Sequence, residues 1–352
     1  MATRSPTSPG IAITPDPAHD GDTLQCTLVT PSEDPDGDAI TYDYRWSQNG
    51  TAAGFDNTDV DPGGTEVGDT WQCQMTAGDG IVTSASSEAT VLIAEDCTGD
   101  GRTVVGTMSF NEVCGSTFLM GCTDGQTDCG DDETEHPVTL TGAFWVSQTE
   151  VTQAQFEDRM SYSPAAFVDC GSDCPVEQVT WDEAAAFANA LSAAEGFDAC
   201  YTCAGGGSAV QCEPTGDPYG CEGFRLPTEA EWESAARCGE DLLYAGSDDV
   251  NEVAWYQDNS GSTPHPVGRL TPNACGLYDM TGNVWEWAED WYTEDYGEAH
   301  VTDPTGAISG SFRVMRGGGW YTAPASGRVS DRNGVQEGEV SSRHGFRVVR
   351  GG

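Results

Sequence analysis

The chain contains no lysine. Its 14 basic residues are all arginine, set against 58 Asp and Glu, which gives a formal charge of -44 over 352 residues. The missing lysine removes Schiff-base chemistry and a lysine general base. So little positive charge disfavours nucleic acid as a partner, because a polyphosphate needs a basic footprint. Anionic membrane surfaces are disfavoured for the same reason. No apolar run approaches the about 20 residues that a spanning helix requires, so direct membrane insertion is not expected. The five histidines, His19, His136, His265, His300 and His344, lack the close i,i+4 spacing of a helical metal pair. No nucleophile-elbow pattern is present. No cysteine follows Cys275.

What is present is length, acid and cysteine. A chain of 352 residues can hold two domains. A lysine-free acidic surface suits high salt or cation-rich surroundings. The 14 cysteines often stand close together, as in Cys122/Cys129, Cys170/Cys174 and Cys200/Cys203 with Cys212/Cys221. Disulfides and a zinc site both fit such a pattern. A zinc ribbon shows a second short Cys-x-x-Cys knuckle, however, and Cys212 to Cys221 is too wide. Disulfides are therefore the preferred reading. They imply an oxidising compartment, extracellular or at a bacterial cell surface or periplasm. No export signal stands in Met1-Ala2-Thr3-Arg4-Ser5-Pro6, so one is expected to have been removed. Local pairs Cys97–Cys114, Cys122–Cys129, Cys170–Cys174 and Cys238–Cys275 are expected, with three connectivities open for the four cysteines of 200–221.

Residues 1–11 are rich in Ser, Pro and Thr and read as a disordered lead. From 12 to 95, short alternating runs such as Thr23–Leu28, Ala39–Trp46, Thr70–Met75 and Ala89–Ile93 are broken by Gly, Asp and Pro, the pattern of an all-β sandwich. Cys26, Trp46 and Cys73 follow the order of an immunoglobulin-type core, in which a Trp packs on an inter-sheet disulfide. The segment resembles bacterial immunoglobulin-like or cadherin-like modules. Its acidic turn, Asp34-Pro35-Asp36-Gly37-Asp38, reads as a solvated loop rather than a Ca²⁺ site. A Gly/Asp-rich linker occupies 96–103.

The character then changes. Thr180 is placed to cap a helix whose apolar positions Ala184, Phe187, Ala188 and Leu191 recur at helical spacing up to Glu195-Gly196. Thr228 followed by Glu231 is a capping-box signature for a helix over about 229–237. Another helix runs through Phe156. The stretch Gly276 to Trp287 sets Asp279 and Glu286 around the turn at Gly282 and Asn283, among Tyr278, Trp285 and Trp287. Carboxylates and carbonyls around a turn can hold a hard cation. The spacing fits equally a core strand with two solvated acids, and taken alone it favours the latter.

Several motifs occur in one order: Phe118-Leu119-Met120-Gly121, Glu135-His136-Pro137-Val138, Thr149-Glu150-Val151-Thr152, Arg225-Leu226-Pro227-Thr228-Glu229-Ala230-Glu231-Trp232, His265-Pro266-Val267-Gly268, the 276–287 stretch, Arg316-Gly317-Gly318-Gly319-Trp320 and Gly345-Phe346-Arg347-Val348. Over 104–352 the chain resembles the formylglycine-generating enzyme (sulfatase-modifying factor) family. The resemblance implies an α+β, C-type-lectin-like fold with much irregular structure. It also implies a structural Ca²⁺ held by the side chains of Asp279 and Glu286 and the carbonyls of Gly282 and Val284. A second family Ca²⁺ site, near Asn251 and Asp258–Gly261, stays unassigned.

The enzymes of that family use two cysteines after the Gly-Gly-x-aromatic turn to bind copper(I), which thiolates suit. Here those positions are Thr322 and Gly327, so copper is not expected. The expectation is a binding or display protein, because relatives of this fold without the cysteine pair include ligand-binding proteins diversified by retroelements. Its ligand, a protein, peptide or glycan, would meet Trp320, Tyr321, Thr322, Ser326, Asp331, Asn333, Ser341, Ser342, Arg343 and His344. Small polar residues with aromatics make such a surface adaptable. The alternative is an oxidoreductase acting on protein or small thiols.

Overall fold

The computed structural model describes every residue except 1–3, 16, 17, 20, 21, 61–64, 66, 67, 95–100, 124, 125, 127, 128, 295, 296 and 298. The chain divides into two compact units. Met1–Asp96 with Gly115–Thr117 form the first, and Cys97–Cys114 with Phe118–Gly352 the second.

Unit 1 is built of two sheets. One orders Gly10–Thr14, Leu24–Thr30 and Asp59–Val60; the other orders Ala18–His19, Ser87–Ala94, Thr70–Gly78, Thr41–Gln48 and Thr51–Ala52. Alternation buries one face of Thr70–Gly78, including Trp71, Cys73 and Met75. The Cys26–Cys73 disulfide joins the two sheets. Trp46 and Trp71 meet edge to face beside it, with ring centroids 6.3 Å apart. Residues 4–9, expected to be a loose lead, are tied down instead. Thr7 N donates to Glu33 O at 3.0 Å, and Ser8 Oγ donates to Ala85 O at 3.2 Å. Polar composition does not report such backbone pairing. Asp34 Oδ1 accepts the amides of Asp36 and Asp38, so that acidic turn closes on itself.

Unit 2 carries more loop than regular structure. A five-stranded sheet orders Phe224–Arg225, Val349–Gly351, Phe144–Ser147, Met108–Val113 and Arg102–Val105, so the last strand of the unit lies in the same sheet as its first. A four-stranded sheet orders Arg332–Val335, Arg313–Arg316, Trp285–Trp291 and His344–Gly345. The helices are α1 (Gln153–Met160), α2 (Trp181–Glu195), α3 (Glu229–Arg237) and the single turn α4 (Val250–Val253). Thr152, Thr180 and Thr228 each accept the amide three residues on, while Gln155, Glu183 and Glu231 reach back to the cap amide. Three capping boxes thus start the three longer helices where the chain's own chemistry dictates. Gly196 ends α2 in the left-handed conformation.

The apolar face of α2 buries Ala184, Phe187, Ala188 and Leu191. Phe187 stacks on Phe156 of α1 at 5.8 Å and meets Phe346 edge-on at 5.3 Å. Disulfides join Cys122–Cys129, Cys170–Cys174 and Cys238–Cys275. In the 200–221 loop, Cys200–Cys221 encloses Cys203–Cys212, the nested choice among the three. Those four sulfurs are consumed, which disposes of a zinc ribbon. Cys97, and with it the expected pairing to Cys114, lies outside the described residues.

Phe187→Ala is expected to cost about 3–5 kcal/mol, because it empties a three-ring contact. Thr228→Ala is expected to cost about 1 kcal/mol through the lost cap. Denaturant midpoints of the unit 2 transition check both, and equal losses would contradict this packing.

Candidate functional site

The Gly276–Trp287 stretch enters the core through left-handed residues at Asp279 (φ 56°) and Asn283 (φ 57°), then continues as the strand Trp285–Trp291. Asp279 and Glu286 are both buried, so neither is a solvated acid. Glu286 accepts Arg347 Nη2 on Oε1 and Arg347 Nε on Oε2, each at 2.6 Å, and Trp232 Nε1 also on Oε2 at 2.6 Å. Asp279 Oδ2 accepts Gly268 N at 2.7 Å, while its Oδ1 is buried without a hydrogen bond. A third carboxylate joins them. Glu150 accepts Asn283 Nδ2 at 2.8 Å and Val284 N at 3.1 Å.

Three buried carboxylates therefore face one guanidinium. Burial pushes Asp279 up to about 6 against the opposing Gly268 amide and Arg347 charge, with Glu286 adding to the rise. Glu150 is held well above the ordinary range by burial first, then by the charges of Asp279 and Glu286. The orphaned Oδ1 and the excess negative charge suit a hard cation. Glu286 is less open, since Arg347 and Trp232 already engage it. Among the described residues no three Asp, Glu, His or Cys side chains group to hold a metal by themselves. A cation here would therefore need backbone oxygens as well. Glu150 escaped the sequence reading because nothing local distinguishes a buried acid inside Thr149-Glu150-Val151-Thr152.

The same stretch supports the surface beyond it. Trp320 N donates to Asn283 O at 2.7 Å, and Trp285 Nε1 donates to Tyr321 Oη at 3.1 Å. Trp320 is half-buried, edge-on to Tyr321 at 5.4 Å and to Phe167 at 5.5 Å, and its Nε1 donates to Ser342 O. The exposed Arg343 lies over the Tyr321 ring at 3.9 Å. Thr322 Oγ1 accepts Gly319 N and donates to Gly319 O, closing the turn. Ser341 O accepts the amides of Gln178 and His344. Trp320, Tyr321, Thr322, Ser341, Ser342 and Arg343 therefore share one face with Phe167. No pattern in the sequence marked Phe167. Its amide is held by Glu177 Oε1 at 2.7 Å and its carbonyl by Gln153 Nε2 at 3.2 Å.

The other expected ligand residues lie elsewhere. His344 is buried edge-on to Trp287 at 5.5 Å, pushed down to about 4 by burial and then by Arg343. Asn333 is exposed on the opposite edge strand of the four-stranded sheet from His344, three strand spacings or about 14 Å away. Asp331 sits 3.6 Å from Arg328 and is pushed up to about 7 by burial, then by Glu133. Ser326 is half-buried in the turn Pro324–Gly327, and Gly327 is buried, where an added Cβ would meet Thr281 Cγ2 at 3.0 Å. The histidines make separate local contacts: His136 Nδ1 with Thr134 O, His265 Nε2 with Ser260 O and His300 Nε2 with Thr139 Oγ1.

Residues 112–351 match the model of the sulfatase-modifying factor enzyme 1-like domain, and the chain belongs to that family. It is 33% identical over 249 residues to the chaperone protein LppX of Paenibacillus barcinonensis, covering 60% of this chain and 81% of that one. It is 36% identical over 146 residues to the formylglycine-generating enzyme of Streptomyces coelicolor, covering 36% of this chain and 46% of the enzyme, so it spans less than half of that relative. Among solved structures, Treponema denticola variable protein 1 superposes with a TM-score of 0.62 at 32% identity, over 71% of this chain and 98% of that one. Unit 2 thus has the C-type-lectin-like fold of the formylglycine-generating-enzyme family.

Asp279 binds its proton more tightly folded, at about 6, than at its ordinary 3.8. Without metal, its contribution to stability is fully present below about pH 4 and declines as pH rises through 6, by about 3 kcal/mol in all. Asp279→Asn should remove that part of the slope in urea unfolding with chelator present, and parallel slopes would refute the assignment. Glu286→Ala, which strands Arg347, should cost about 3–5 kcal/mol.

Proposed function

We propose that the chain is a non-catalytic binding protein of the cell exterior or envelope. In this reading an immunoglobulin-like unit 1 carries unit 2, whose ligand face is Trp320–Thr322 with Ser341–Arg343 and Phe167. The observation that carries it is the pair of positions where the family's enzymes place copper thiolates. Thr322 spends its hydroxyl on the Gly319 turn, and Gly327 is buried against Thr281. No free thiol stands among the described residues to replace them. The likeness to a chaperone protein and to a variable protein supports a binding role. The disulfides support export.

The face is half-buried aromatic with one exposed guanidinium, pinned from behind by Asn283, Trp285 and Glu177. Rigid aromatics with small polar neighbours suit a protein, peptide or glycan ligand at low entropic cost. Ca²⁺ would be held by Asp279 Oδ1 with the carbonyls of Gly282 and Val284, Glu286 sharing its carboxylate with Arg347. Bound there, it supplies the positive charge that the carboxylate cluster lacks, and so steadies Asn283 and the Trp320 amide that rests on it.

Three measurements test this reading. Incubating the protein with a Cys-x-Pro-x-Arg peptide, Cu(I) and O₂ should yield no formylglycine, and product at enzymic rates would establish the oxidoreductase alternative. Glycan arrays and displayed peptides should give ligands whose binding falls with Trp320→Ala and Arg343→Ala. Ca²⁺ should raise the melting temperature of the wild type and not that of Asp279→Ala, whereas an equal rise in both would mean nonspecific screening of an acidic surface.

A further inference from the structure

A cavity of about 450 Å³ opens in unit 2 between the 214–218 turn, the 303–308 loop and the ends of the strands Trp285–Trp291 and Arg313–Arg316. It shares no residue with the Trp320 face or the carboxylate cluster at Asp279. Its size is that of a small-molecule site.

Its floor is charged, buried and held in place. Glu289 is 6% exposed. Glu289 Oε2 accepts Tyr201 Oη at 2.6 Å, and that hydroxyl in turn accepts Leu226 N at 2.9 Å. No hydrogen bond engages Glu289 Oε1, which is left for the cavity. Arg313 is 2% exposed, wedged between the rings of Trp181 at 3.8 Å and Trp291 at 3.6 Å. Its Nη1 donates to Glu289 O at 2.7 Å, while its Nε makes no hydrogen bond and has only Glu337 Oε2 at 3.5 Å. At the rim, Asp217 Oδ1 is spent on Tyr219 N, leaving Oδ2 open. Asp303 is fixed by Thr141 N at 2.8 Å and Thr141 Oγ1 at 2.6 Å. Pro214, Pro218 and the fully exposed Ile308 supply apolar contact.

This lining sorts ligands by charge. Three carboxyl groups repel an anion. A guanidinium at the floor, immobilised between two rings, offers donors that an ammonium cannot pair with. A wholly apolar molecule would leave Glu289 Oε1 and Arg313 Nε desolvated without a hydrogen bond. A neutral molecule dense in hydroxyls satisfies all of them, because each hydroxyl donates to a carboxylate and accepts from arginine, while its C–H surface covers the prolines and Ile308. We propose that this cavity is a second ligand site, for a small neutral polyol of the monosaccharide class, with Glu289 and Asp217 as acceptors and Arg313 as donor.

The test is saturation-transfer NMR and calorimetry on the whole chain with D-glucose, D-galactose, D-mannose and N-acetyl-D-glucosamine. Putrescine and acetate serve as cationic and anionic probes. At least one sugar should bind in the millimolar range or tighter, and neither ion should compete with it. Asp217→Ala, on an exposed turn, should weaken that sugar about tenfold, the loss of one hydrogen bond to a charged group. Glu289→Gln should weaken it too, and Trp320→Ala should leave it unchanged. The proposal falls if no sugar binds at millimolar concentration, if putrescine or acetate displaces it, or if binding survives Asp217→Ala and disappears with Trp320→Ala. The last result would move the sugar to the aromatic face and leave the binding-protein reading intact.

Discussion

The fork of Arg347 on Glu286 is the contact on which unit 2 depends. One guanidinium bonds both oxygens of Glu286, Ser147 O and Tyr278 O, and so joins the C-terminal segment to the Phe144–Ser147 strand and the 276–287 stretch. Trp232 adds α3 to the same carboxylate. A planar, always-charged side chain with a rigid fork can do this, whereas an ammonium cannot meet two carboxylate oxygens and two carbonyls in fixed directions. The pair is fully buried, so losing either partner would leave a naked charge in the core. Glu150 and Asp279 lie next to it without a cation of their own, and the surface beyond inherits its position from Asn283 and Trp285.

The pattern repeats through unit 2. Arg316 is paired with Glu233, Arg225 with Glu231, Arg332 with Glu229 and Arg328 with Glu133, all buried. Seven of the 14 arginines are buried, six of them against a buried carboxylate. Half of the few cations of this chain are thus spent inside. Attraction in the interior has to offset the desolvation of both charges, which good bidentate geometry achieves. Arg343 is one of five exposed arginines, and it stands over Tyr321 beside Trp320.

Local chemistry was legible residue by residue. Thr180 and Thr228 announced their helices because a cap and its box partner lie three residues apart, and Gly196 announced an end. The motif string announced the family, since its residues meet in the core in a set order. Less was legible at the candidate site. Ten residues near the C-terminus read as one surface, yet the strand order sends Asn333 to one sheet edge and buries His344 at the other. Phe167 reaches Trp320 only because Glu177 and Gln153 hold its backbone there. Glu150 meets Asp279 from more than a hundred residues away.

The sequence by itself determined the helix starts, the family, the Thr322 and Gly327 that follow the Gly-rich turn, and the excess of carboxylate around the 276–287 turn. Each of these is a matter of residue type at short spacing. Tertiary structure alone decided how Cys200, Cys203, Cys212 and Cys221 pair, which acid receives Arg347, which oxygen of Asp279 is left bare, and which aromatic stands beside Trp320. Those outcomes depend on where buried charges and rings find partners far along the chain, and short spacing carries no information about that.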